Sequence, residues 1–66
     1  MNQYHVRLYE YDILWAYITL NANSKDEALE RAIADIGNLI RRVDNYIIYD
    51  TTNQISYEGN YNGHST

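Results

Sequence analysis

The side chains able to do chemistry in this 66-residue sequence are few: His5, His64 with Ser65 beside it, and the carboxylates Glu10, Asp12, Asp44, Asp50 and Glu58. A zinc site needs cysteine or paired histidine at ligand spacing, and neither is present. His64 and Ser65 have the composition of a base and a nucleophile, but activation requires fixed geometry and a third orienting group. A polar terminal stretch supplies neither. The five carboxylates fall at expected strand ends and turns, where acids are ordinary, and so short a chain offers no buried pocket to raise a carboxyl pKa. Gly37, Gly59 and Gly63 form no phosphate cradle. The expectation is a protein that is not an enzyme, with no catalytic residue, no metal and no cofactor.

What is left is recognition. Eight tyrosines and one tryptophan stand against no phenylalanine, a bias toward aromatic rings with a polar handle, which suit surfaces half dry and half wet. Strand propensity alone would also place tyrosines in a sheet. Five basic residues against nine acidic ones give a formal charge of -4. That sign opposes a phosphate backbone and suits a basic protein surface.

The elements that must position these groups follow from periodicity. Tyr4 to Glu10 alternates, with Tyr4, Val6 and Leu8 on one side and His5, Arg7 and Tyr9 on the other, as a strand does. Ile13 to Leu20 repeats the pattern after a short Tyr11-Asp12 link, which makes a hairpin without the Asn-Gly or Asp-Gly signature. Ser24 and Glu27 form a capping box, with Asp26 and Glu27 placed where the helix dipole favours negative charge. Leu29, Ile33, Ile36 and Ile40, flanked by Ala28 and Ala32, draw the apolar stripe of a helix expected to weaken at Gly37-Asn38 and end near Arg41. Tyr46 to Asp50 and Gln54 to Glu58 read as a second hairpin turned by Thr51-Thr52-Asn53, followed by a loose tail unless Tyr61 docks.

The predicted architecture is therefore α+β, in the order β-β-α-β-β: an antiparallel sheet with one helix packed on one face, over residues 1–58, and a flexible tail at 59–66. No apolar run approaches the roughly 18 residues of a membrane span and the N-terminus does not read as a signal peptide. With no cysteine to suggest an oxidising compartment, a cytoplasmic protein is expected.

One helix covers one face only. With Val6, Leu8, Leu14, Ala16, Ile18 and Leu20 beneath it, alternation sends Arg7, Tyr9, Ile13, Trp15 and Tyr17 to the other face, the expected partner-binding residues. The inverted assignment, with the Trp15 face as core, is the alternative. Asp26, Glu27, Glu30 and Asp35 give the helix a second, acidic surface. A chain of this size buries only about 60% of its unfolded surface and often gains stability by association, so a homodimer is expected first and a protein hetero-partner next.

The segment Leu20-Asn21-Ala22-Asn23-Ser24-Lys25-Asp26-Glu27-Ala28 resembles the strand-to-helix junction of small phage and mobile-element proteins, among them some type I-F anti-CRISPR proteins. These also place two strands before the helix and a hairpin after it, so the likeness covers Tyr4 to Glu58 in architecture and nine residues in motif. It implies a non-enzymatic phage-type inhibitor that binds a host protein complex in the host cytoplasm and blocks it by occupancy. The chain lacks the basic residues some of those inhibitors use. Two other functions stay open: stacking of single-stranded nucleic acid on an aromatic sheet, which the charge disfavours, and an accessory subunit with a permanent interface.

Overall fold

The computed structural model describes residues 1–36 and 42–61. The alternating segments form β1 (Asn2–Glu10), β2 (Ile13–Ala22), β3 (Asn45–Asp50) and β4 (Ile55–Asn60), and the capped segment forms α1 (Lys25–Asp35), so the order is β-β-α-β-β as expected. The strands make one antiparallel sheet in the order β2-β1-β3-β4. Two hairpins are thus joined through their first strands, with α1 in the crossover from β2 to β3. β1 is central, and β2 and β4 are the edges.

Tyr4, Val6 and Leu8 of β1 and Ile48 of β3 lie on the helix-bearing side, fully or almost fully buried, together with Ala22, Ala28, Ala32 and Val43. The three largest fully buried side chains, Leu8, Ile48 and Val6, each contribute about 1.5–3 kcal/mol from loss of water contact. The helix meets the sheet through Ala28 and Ala32, whose small side chains bring its backbone close. Leu29, Ile33 and Ile36 pack half-buried at the margins. α1 lies chiefly over β2 and β1 and meets β3 least, and it touches β4 through Lys25, whose ammonium sits 5.3 Å above the Tyr57 ring.

Ser24 caps the helix: its Oγ accepts from the Glu27 amide at 3.1 Å. Glu27 reaches back to the amide of Asn23, 2.7 Å away, one residue before the expected Ser24. The helix ends at Asp35, with Ile36 as its C-cap, short of the expected end near Arg41; residues 37–41 lie outside the described residues. Its last turn holds no basic residue and instead ends on Asp35, a charge the C-terminal dipole disfavours.

At the second hairpin Asp50 is buried, 3% exposed, and organises the turn. It accepts from the amides of Thr52 and Asn53 and from the Asn53 side chain at 2.9–3.2 Å. The Asn53 side-chain bond first, then the two amides and Asn2, outweigh burial and hold this carboxyl below the usual range. Gln54 closes the turn with a positive φ of 57° and an amide bond to the Asp50 carbonyl. β4 then runs to Asn60, two residues beyond the expected boundary at 58. Tyr61 docks, its amide bonded to the Asp44 carbonyl at 2.8 Å and its ring packed on the core. The rest of the expected tail, 62–66, lies outside the described residues.

Candidate interaction surface

Cross-strand pairs share a face, so the register lays out the side of the sheet turned away from α1. Its rows run Thr19–His5–Tyr49–Ser56, Tyr17–Arg7–Ile47–Glu58 and Leu14–Tyr9–Asn45–Asn60 across β2, β1, β3 and β4. No other element of the described residues packs over this face. His5 Nδ1 lies 2.9 Å from the Thr19 hydroxyl and 3.2 Å from the Tyr17 hydroxyl, so one ring atom braces two side chains of the edge strand. The same imidazole meets Tyr17 edge-on and stacks on Tyr49 with 6.4 Å between centroids. The Arg7 guanidinium sits 5.0 Å above the Tyr17 ring, a contact worth about 0.5–1 kcal/mol on a wet surface.

Arg7, Tyr9 and Tyr17 occupy this open face as expected. Trp15, Ile13 and Leu14 do not follow the expected alternation. Leu8 pairs with Ala16 while Tyr9 pairs with Leu14, which leaves Trp15 as the extra residue of a β-bulge. The bulge turns Trp15 to the helix side, where it packs against the core and donates from Nε1 to the Arg42 carbonyl at 3.1 Å. Beyond it the phase of the strand is inverted. Leu14 joins the open face, and Ile13 pairs with Glu10 on the helix side at the hairpin tip, 59% exposed. The bulge therefore takes two large apolar side chains, Ile13 and Trp15, off the open face and adds one, Leu14, leaving its tyrosines as strict alternation places them.

Alternation places His5 on the side of Arg7 and Tyr9, where it lies, although it is not among the expected partner-binding residues; Tyr49, Ile47 and Glu58 are not assigned to this face by periodicity. In Asn45–Asp50 both faces hold isoleucine and tyrosine, so the sequence carries no signal of which side is which.

At one end of the face, Tyr9, Tyr11, Asn45, Ile47, Asp12 and Glu58 line an open groove of about 420 Å³. Asp12 and Glu58 make no hydrogen bond or ion pair among the described residues. The groove's end is held by Asp44, which the sequence marked only as an ordinary turn acid. One of its oxygens accepts from the Tyr11 amide at 2.7 Å and the other from Arg42 at 2.8 Å. These bonds sustain the left-handed backbone of Tyr11, φ 56°, a conformation that costs a non-glycine residue about 1 kcal/mol or more. The acidic helix surface is partly committed: Glu27 serves the cap, and Asp26 pairs with Lys25 at 3.1 Å, raising the lysine's pKa.

Among the described residues no three His, Cys, Asp or Glu side chains gather to hold a metal ion, and no helix is long and apolar enough to cross a membrane. No family model matches the chain, and neither a curated protein nor a solved structure was found to match it.

Proposed function

We propose that the chain is a non-enzymatic protein-binding module that works by occupying a partner's surface with the open face of its sheet. One observation carries this: a four-stranded sheet covered on one side presents Arg7, Tyr9, Tyr17 and Tyr49 together on the other. Tyrosine and arginine are among the side chains that dominate binding energy at interfaces. Their neighbours here are Thr19, Asn45, Ser56 and Asn60, a mixture suited to a wet, reversible contact rather than an obligate one. The partner surface is basic, because the chain carries -4 and the groove is lined by Asp12 and Glu58, which make no ion pair among the described residues. The likeness of the Ala22-to-Ala28 junction to small phage proteins supports a narrower form, an inhibitor of a host defence complex acting by occupancy in the host cytoplasm.

Single-stranded nucleic acid is the competing ligand for an aromatic sheet. Arg7 is the one arginine or lysine in the face's rows, and Glu58 shares its row, so the electrostatic attraction that phosphate binding needs is missing. Affinity capture from host lysate with wild type, Arg7→Glu, Tyr49→Ala and Glu30→Ala tests the proposal. The two face variants should lose the captured protein by about thirtyfold, the scale of a hot-spot residue, and the helix variant should keep it. Capture that survives both face variants, or a ligand that is nucleic acid released steeply by salt, would remove the proposal.

A further inference from the structure

The edge formed by β2 differs from the rest of the molecule in charge and in backbone pairing. From Ile13 to Ser24 there is no charged residue, in a chain of net charge -4. Among the described residues, four of the six exposed large hydrophobics, Tyr11, Ile13, Leu14 and Tyr17, lie in this strand or the turn before it. Natural edge strands are usually blunted by charge, proline, brevity or a bulge, and of these β2, with ten residues, has only the bulge at Trp15. The opposite edge, β4, is six residues long and carries Glu58.

The directions of the backbone groups can be worked out. Gln3 turns its carbonyl toward Thr51, at the end of β3. Backbone groups alternate in direction along an antiparallel strand, so His5 and Arg7 also aim theirs at β3. Their partners in β2, Thr19 and Tyr17, and Gln3's partner Asn21, must aim outward. Arg31 agrees with this, since it donates from the helix to the Asn21 carbonyl at 2.7 Å. The bulge at Trp15 interrupts the edge on one side and Arg31 occupies it on the other. Between them stand the N–H and C=O groups of Tyr17 and Thr19, whose side chains His5 ties together.

We infer that β2 pairs antiparallel with β2 of a second copy of this chain, about a two-fold axis passing beside Ile18. In that register Tyr17 of one copy lies opposite Thr19 of the other, and all four outward groups of each chain are satisfied by an identical segment. A two-fold interface requires this self-complementarity. Ile18, half-buried on the helix side, meets its own counterpart across the axis. The uncharged strand is where two copies of an acidic protein meet without repulsion. The product is a continuous eight-stranded sheet whose two open faces lie side by side, so partner binding through that face becomes bivalent.

The test is amide hydrogen exchange on the full chain at about 10 µM and about 1 mM, with sedimentation at both, a range covering the affinity of a small strand-to-strand contact. The amides of Tyr17 and Thr19 should exchange about tenfold more slowly at the higher concentration while those of Ser56 and Glu58 at the other edge do not change. Thr19→Pro, tolerable where an edge amide faces out, should stay folded and monomeric. If that variant fails to fold, exchange on the wild type still decides. A mass that stays at 7.8 kDa throughout, or a dimer in which Tyr17 and Thr19 exchange as fast as in dilute protein, would overturn the inference.

Discussion

Trp15 and Arg42 are joined by a hydrogen bond from the indole N–H to the main-chain carbonyl, 3.1 Å long, that fastens the edge strand to the segment leading into β3. Trp15→Ala should therefore destabilise the fold by about 3 kcal/mol, the low end of the range for a large aromatic because the ring is only partly buried. Trp15→Phe, which keeps most of the ring, should cost about 1 kcal/mol. Leu14→Ala, on the open face, should stay within about 0.5 kcal/mol of wild type. Urea unfolding checks all three, and a Leu14 variant costlier than the Trp15 variants would mean that strict alternation describes β2 after all.

Asp50 gives the stability a dependence on pH. Its folded pKa lies below the unfolded value, so the stabilisation is complete well above the ordinary carboxylate pKa of about 3.9 and is lost as pH falls through that value and below it. Melting temperatures from pH 7 down to pH 2 should fall more for wild type than for Asp50→Asn, in which position 50 no longer titrates. Parallel profiles would show that the turn does not depend on this carboxylate.

Ser24 should account for about 1 kcal/mol through its bond to the Glu27 amide. Ser24→Ala lowers the midpoint of chemical unfolding accordingly, and Ser24→Gly lowers it by only a few tenths of a kcal/mol. Equal losses for the two would indicate that the serine hydroxyl is not what caps the helix.

Gly59 lies under the Tyr46 ring: a Cβ there would stand 2.6 Å from the tyrosine oxygen and 2.9 Å from Cζ. Gly59→Ala should cost about 1–3 kcal/mol as the ring is pushed off the core it packs against. In a Tyr46→Ala background the same substitution should cost almost nothing, a coupling that a double-mutant cycle measures directly. Additive losses would place the cause in the backbone rather than in this contact.

Much of this fold is legible in the residues. The alternation of Tyr4, Val6 and Leu8 announces β1, and Ser24 with Glu27 marks the helix start to the residue, because periodicity and capping are local effects. The side of the sheet taken by Trp15 is not legible. Ile13, Leu14 and Trp15 are all apolar, so nothing local shows where one residue slips out of phase, and the bulge is fixed by the pairing of β1 with β2. Tyr49 and Ile47 escaped for a related reason, their strand being apolar on both faces. Asp44 and Asp50 have the composition of turn acids, and only the fold brings the Tyr11 amide and the Asn53 side chain to them. Three of the five residues expected to bind a partner, Arg7, Tyr9 and Tyr17, reach the open face together because they lie in the regular part of the hairpin.

Site-specific photo-crosslinking in host cells tests the central claim most directly. A benzophenone side chain is placed either at Tyr49, on an inner strand of the open face, or at Glu30, on the exposed side of the helix. Occupancy through the sheet predicts one discrete protein adduct from position 49 and none from position 30. An adduct from position 30 with silence at 49 would contradict it.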